Sequence, residues 1–258
     1  MITLELLDQK VGIDAGELVS YQVDGHEYIH QKGSPGWRNS DTEMFPIIGP
    51  TSKAEFQVQT PKDIAIQDQH GLLREMDYEL VSQTGTEVVF KKKYEARTQV
   101  KNSKYPEKSN KEYLFWTYDF LFQKQFLLTE SGLEITFIVS GERDSPFMLG
   151  YHPAFKLYSA DPVIVAGKKN IGLDEVLAVG SRAMEVPNCE DILLKDGERQ
   201  LQIKTKDFGN FMLWTEVRNM VCIEPITFYP YTVEQRNLHE GFRYLDNKAQ
   251  TFKVALMP

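Results

Sequence analysis

The sequence predicts an all-β chain of many antiparallel strands, and three observations carry that prediction. Short apolar/polar alternations of period two recur along the chain. The cleanest is Leu133-Glu134-Ile135-Thr136-Phe137-Ile138-Val139, bounded by Gly132 and Gly141. Turn-forming glycines and prolines punctuate these runs. No window sustains a long 3.6-residue apolar pattern, and the best helical stretch, around 172–180, is short. At 258 residues the chain is expected to form one large domain, residues 1–258. A chain of that size buries roughly 70–75% of its unfolded surface and needs no disulfide or structural metal.

Taken in order, Thr3–Leu7 and Glu17–Val23 read as a hairpin around a Gly/Asp turn. Asp24-Gly25 then makes a two-residue turn into Glu27-Tyr28-Ile29-His30. Residues 31–43, with Gly33-Ser34-Pro35-Gly36, read as loop. Met44-Phe45-Pro46-Ile47-Ile48-Gly49-Pro50 is apolar but interrupted by two prolines, so it reads as a strand end or sheet edge. Further strands are expected at Tyr78–Val81, Glu87–Phe90, Phe115–Phe120 with Phe122, Phe126–Leu128 and Leu133–Val139. Polar residues 100–114 read as an exposed loop or long hairpin end. Later strands are expected at 192–194, 200–205, 211–215, 220–224 and 251–256.

Composition excludes several classes. Charged residues (26%) and hydrophobic residues (41%) stand in the ratio of a soluble globule. The two cysteines, Cys189 and Cys222, lie in no metal-ligand spacing, which argues against a zinc site and suits a reducing cytoplasm. The N-terminus lacks a signal-peptide pattern, and no apolar run reaches the roughly 20 residues that span a bilayer. The net charge of −8 and the scattered basic residues argue against nucleic acid. Lys91-Lys92-Lys93, with Arg97, Lys101 and Lys104, reads as a solvated surface. A cytoplasmic protein, monomer or homodimer, with a small-molecule partner and no membrane association is expected.

Two islands could carry chemistry. Phe147-Met148-Leu149-Gly150-Tyr151-His152-Pro153-Ala154-Phe155 places one imidazole in an aromatic run, and Val221-Cys222-Ile223-Glu224-Pro225 places one carboxylate in an apolar strand. Taken singly, each reads as a satisfied core residue. A carboxylate between Ile223 and Pro225 nonetheless costs much desolvation unless it is paired or opens into a cavity, and such positions are enriched in function. Together the two read as a proton-transfer pair. A contact near 3 Å between them would mark a structural pair instead. His26, His30 and His239 read as surface residues. In His70-Gly71-Leu72-Leu73-Arg74, glycine permits close backbone approach and arginine offers a donor fork. No nucleophile elbow, P-loop or dinucleotide fingerprint occurs.

Phe45-Pro46-Ile47-Ile48-Gly49, His70-Gly71-Leu72-Leu73-Arg74, Gly150-Tyr151-His152-Pro153-Ala154-Phe155, and Trp214 followed by Cys222-Ile223-Glu224-Pro225 occur in this order across nearly the whole chain. In that order they resemble the aldose 1-epimerase (galactose mutarotase-like) family, most closely its shorter bacterial branch related to lactose-operon mutarotase homologues. The resemblance implies a β-supersandwich of large antiparallel sheets and cofactor-independent interconversion of sugar anomers. It implies His152 as general acid and Glu224 as general base, protonated and ionised respectively and facing one open pocket roughly a pyranose apart, with His70 and Arg74 on the sugar. Asp191 resembles the family's sugar-binding aspartate. Three departures bear on the substrate. Pro50 stands where many relatives carry arginine, a contact that is then either missing or replaced by Arg38. Tyr229-Pro230-Tyr231 stands in place of a Pro-Asp pair, and Gly71-Leu72-Leu73 in place of Gly-Phe-Ala. Two further readings stay open: a hexose 6-phosphate epimerase using Arg74 and Arg38 for phosphate, and a non-catalytic sugar-binding domain of the same fold.

Overall fold

A computed structural model describes residues 1–258. Two antiparallel sheets dominate it. The larger has nine strands in the spatial order Lys169–Gly172, Val163–Ala166, Asp191–Asp196, Arg199–Lys206, Gln250–Met257, Gly132–Gly141, Phe120–Thr129, Glu87–Tyr94 and Glu79–Gln83. The smaller has five, in the order Met184–Val186, Asn210–Trp214, Met220–Ile226, Gly150–Lys156 and Asp41–Met44. The expected mainly antiparallel all-β architecture is therefore present. One large apolar core runs from Leu4 to Leu256, with a small separate cluster of Ala154, Met220 and Cys222, and the one α-helix, Leu173–Val179, lies within the short stretch expected.

Strand patterning follows from which faces are covered. Along Phe120–Thr129 burial alternates strictly, with Phe120, Phe122, Lys124, Phe126 and Leu128 inward. Gly150–Lys156 and Met220–Ile226 are buried on both faces, which explains why these islands read as continuous apolar runs. Asp41–Met44 is the edge strand of its sheet, as the following prolines require.

Four expectations are corrected. The first hairpin contains an additional strand, Gln9–Asp14, between Ile2–Leu6 and Glu17–Val23; Leu7, with φ 56°, turns the chain back without a glycine. The strand expected at Phe115–Phe120 begins only at Phe120, after bends at 117–118, and runs unbroken through Phe122, Lys124 and Phe126 to Thr129. His30 is fully buried and its Nε2–H donates to the Trp37 carbonyl at 3.0 Å. The basic cluster is not uniformly solvated: Lys92 is buried, donating to the Leu73 carbonyl at 2.9 Å, and Lys104 pairs with Asp68 at 2.7 Å.

The sheets meet through aromatic contacts such as Phe137 with Tyr151, ring centroids 5.1 Å apart. Among them lies a charged group. Lys124 Nζ, with no exposed surface, contacts Asp41 Oδ2 at 2.8 Å and Glu43 Oε1 at 2.6 Å, and Tyr151 Oη donates to Asp41 at 2.7 Å. Burial alone would lower the Lys124 pKa, but the two carboxylates outweigh it and hold it above its ordinary value. No helix is long and apolar enough to cross a membrane.

Candidate active site

The alternation that sends Asp41, Glu43 and Tyr151 into the core sends Thr42 and His152 to the opposite face. Register then sets the row. Gly150 lies opposite Ile226 and Ala154 opposite Cys222, which brings His152 level with Glu224 on the neighbouring strand. Glu224 in turn pairs with Met212, and His152 with Thr42. Met212, Glu224, His152 and Thr42 thus cross four strands in line. Pro153 and Pro225 follow the two titratable residues, and proline cannot donate to a ladder; the paired register breaks between Gly150 and Ala154.

A cavity of about 270 Å³ lies over this row. Its wall includes Trp37, His70, Arg74, His152, Trp214 and Glu224, and Lys104, Arg182 and Tyr231 complete its polar side. At roughly 30 Å³ per water volume it holds one small polar molecule. His152 Nε2 stands 3.3 Å from Glu224 Oε1, with the two residues 7% and 1% exposed. The contact is direct rather than a pyranose wide, yet both residues line the open cavity. Burial pushes the imidazole down to about 3, helped by the Arg74 charge. Burial also lifts the Glu224 carboxyl well above its ordinary value, against the pull of Arg74. Both shifts favour neutral forms, so the resting pair carries one mobile proton without net charge, in place of the expected ion pair.

Aromatic rings fix the imidazole. Trp37 stacks on it, centroids 4.1 Å apart at 29°, and Trp214 meets it edge-on at 6.2 Å. The buried His30 holds the Trp37 carbonyl, so a histidine read as surface secures the loop over the site.

His70 and Arg74 reach the same cavity from a loop clipped to Phe45–Gly49. Phe45 N–H donates to the His70 carbonyl at 3.1 Å, His70 N–H to that of Gly49 at 3.2 Å, and Leu73 N–H to that of Phe45 at 3.0 Å. Gly71 has φ 81°, and a Cβ there would lie 2.2 Å from the Phe45 carbonyl oxygen. His70 Nδ1 accepts from Gly49 N–H at 3.2 Å, and its Nε2 lies 3.2 Å from the Gln69 side-chain amide. Arg74 donates to Thr42 Oγ1 at 3.1 Å, while its buried Nε lacks a partner.

Four of the six expected site residues, His70, Arg74, His152 and Glu224, therefore converge. The other two do not. Asp191 is exposed on the large sheet, where the Gln202 amide donates to it at 3.0 Å. Arg38 is exposed and outside the cavity wall; its neighbour Trp37 takes that place. Tyr231, from the segment departing from the Pro-Asp pattern, lines the wall, and Pro50 lines a groove continuous with it. Sequence reasoning missed Trp37, Lys104 and Arg182, which come from separate loops without a motif.

The family model described as aldose 1-epimerase matches residues 16–190, about two thirds of the chain. No curated protein sequence matches the chain significantly. Among solved structures, a galactose mutarotase related enzyme from Lactobacillus acidophilus superposes with TM-score 0.79 at 19% identity, covering 100% of this chain and 97% of the other. A galactose mutarotase-like protein from Lactobacillus casei gives 0.78 at 19% identity over 99% of each chain. A GalM/aldose epimerase homologue from C. elegans gives 0.66 at 9% identity, covering 99% and 98%. At these identities the likeness establishes the fold.

Proposed function

Because the chain belongs to the aldose 1-epimerase family, we propose that it interconverts the α and β anomers of an aldose with His152 and Glu224 as its acid–base pair. The observation that carries this reading is the level placement of the two residues on neighbouring strands, in the wall of one sugar-sized cavity.

Ring opening takes a proton from the C1 hydroxyl and gives one to the ring oxygen. Both oxygens are bonded to the same carbon, so acid and base must stand close together. The pair stands 3.3 Å apart, a direct contact that a structural pair would also make, and it is its place in the cavity wall that favours the catalytic reading. As a sugar displaces water, its hydroxyl dipoles favour charge separation, and the mobile proton crosses from Glu224 to His152. The carboxylate then takes the C1 hydroxyl proton while the imidazolium protonates the ring oxygen, and the bond between C1 and that oxygen breaks. Rotation about C1–C2 turns the aldehyde, and reclosure with the roles reversed yields the other anomer. The pair ends as it began. Arg74 supplies donors to hydroxyls, with the His70 ring and the Gln69 amide in the same wall, and Trp37 and Trp214 offer apolar faces to the ring.

The test is anomer exchange, followed by polarimetry or NMR, over a panel of aldoses. Each proton transfer contributes about 10²–10⁴-fold, so Glu224→Gln should lose at least ~100-fold. An undiminished rate in that variant removes the assignment. Sugar binding by calorimetry with no exchange in wild type favours the non-catalytic reading, in which the 3.3 Å contact is structural.

A second substrate reading has its own observation. Arg74 and Arg182, neither in an ion pair, put two cations around a cavity with one carboxyl, beside a third, Lys104, that Asp68 already neutralises, in a chain of net charge −8. Such a lining attracts anions, which favours a phosphorylated hexose. The ratio of rates for glucose 6-phosphate and glucose separates the two.

A further inference from the structure

Cys222 plays no part in proton transfer, yet it sits beside the pair. It is two residues before Glu224 on the same strand face, opposite Ala154, and fully buried beneath Trp37 and Trp214. One ligand atom from each of His152, Cys222 and Glu224 lies within 4.8 Å of the others. We propose that these three side chains form a site for one thiophilic divalent cation, zinc or cadmium, whose occupation blocks proton transfer.

Geometry and charge support the assignment. Tetrahedral bonds of about 2.0 Å to nitrogen and oxygen hold those atoms roughly 3.3 Å apart, and His152 Nε2 and Glu224 Oε1 stand at 3.3 Å. The longest ligand separation needs to shorten by roughly 1 Å to admit a Zn–S bond of about 2.3 Å. Glu224 Oε2 is buried without a partner, so the carboxylate has a free oxygen to offer. On binding, the thiol S–H bond breaks, a sulfur–metal bond forms, and the thiol proton and the pair's mobile proton leave to solvent. Thiolate, carboxylate and neutral imidazole then balance a dication, as a buried site requires. Three protein ligands leave a fourth position, on the side of the sugar cavity. Arg74 opposes the cation, so binding is weaker than at structural zinc sites. Thiolate ligation selects zinc and cadmium over magnesium and calcium.

The metal site stands independently; the inhibition rests on the proposed epimerase reading. The experiment is a Cd²⁺ titration of the folded protein, read by the ultraviolet thiolate-to-metal charge-transfer band, with Zn²⁺ as competitor. Wild type and Cys189→Ser should saturate at one metal per chain, Cys222→Ser should lose the band, and Mg²⁺ should not compete. Glu224→Gln should weaken Cd²⁺ at least tenfold with the thiol intact, and it decides the matter if Cys222→Ser fails to fold. No band in wild type, its survival in Cys222→Ser, its loss in Cys189→Ser or an unaltered affinity in Glu224→Gln overturns the proposal. Zn²⁺ should inhibit anomer exchange over the concentration range in which it displaces Cd²⁺, reversibly with chelator. A wild type that shows the band but no exchange at any metal concentration refutes the epimerase reading and leaves the metal site standing.

Discussion

Removal from water acts on His152 and Glu224 in opposite senses, the imidazole down to about 3 and the carboxyl up, and so produces a neutral pair sharing one proton. In a folded chain the His152 ring should therefore stay neutral as pH falls from 8 through the ordinary imidazole value of 6.5; nitrogen NMR of the ring checks this, and titration near 6.5 contradicts it. Because a group whose folded pKa lies below its unfolded value binds its proton less readily when folded, stability carried by neutral His152 is present above pH 6.5 and is lost as pH falls toward 3. In the proposed reaction the pair acts as a unit, so His152→Asn, Glu224→Gln and the double variant should slow anomer exchange to about the same extent. Multiplying losses would show that the residues act separately. Trp37 holds the ring by stacking at 4.1 Å, so Trp37→Phe should preserve more activity than Trp37→Ala.

At the scale of elements, the site depends on two devices: strands that place alternate residues on opposite faces, and a glycine that lets two loops touch. Alternation separates Thr42 and His152, on the cavity side, from Asp41, Glu43 and Tyr151, toward the core. The clip between Phe45–Gly49 and His70–Leu73 needs Gly71. Gly71→Ala combines a positive φ with a Cβ 2.2 Å from a carbonyl oxygen, and it should destabilise by more than the ~1 kcal/mol of an ordinary glycine-to-alanine mismatch. Urea unfolding measures the cost, and anomer exchange should fall with it, since His70 and Arg74 hang from this loop. A neutral result would show that the loop relaxes freely.

Across the whole molecule, the Lys124, Asp41 and Glu43 charges join the two sheets beneath the site. Lys124→Met leaves two buried carboxylates without their cation and should cost about 3–5 kcal/mol. Replacing all three by neutral residues of similar shape should cost less, and a shift in the urea midpoint reads both.

The sequence alone determined the all-β class, most strand positions and the two islands bearing His152 and Glu224, because alternation and proline placement are local properties of the backbone. His70 and Arg74 were legible for a related reason: the glycine between them marks a close approach. Local pattern could not say that Lys124 is buried, since a lysine on an inward face is tolerable only when carboxylates eighty residues away meet it. Nor could it place Trp37, Lys104 and Arg182 in the cavity wall, or keep Arg38 and Asp191 out of it. Those outcomes, like the 3.3 Å contact between His152 and Glu224 and the burial that keeps both neutral, were decided only by the tertiary structure, because distances between groups remote in sequence are set by how the sheets pair and the loops pack.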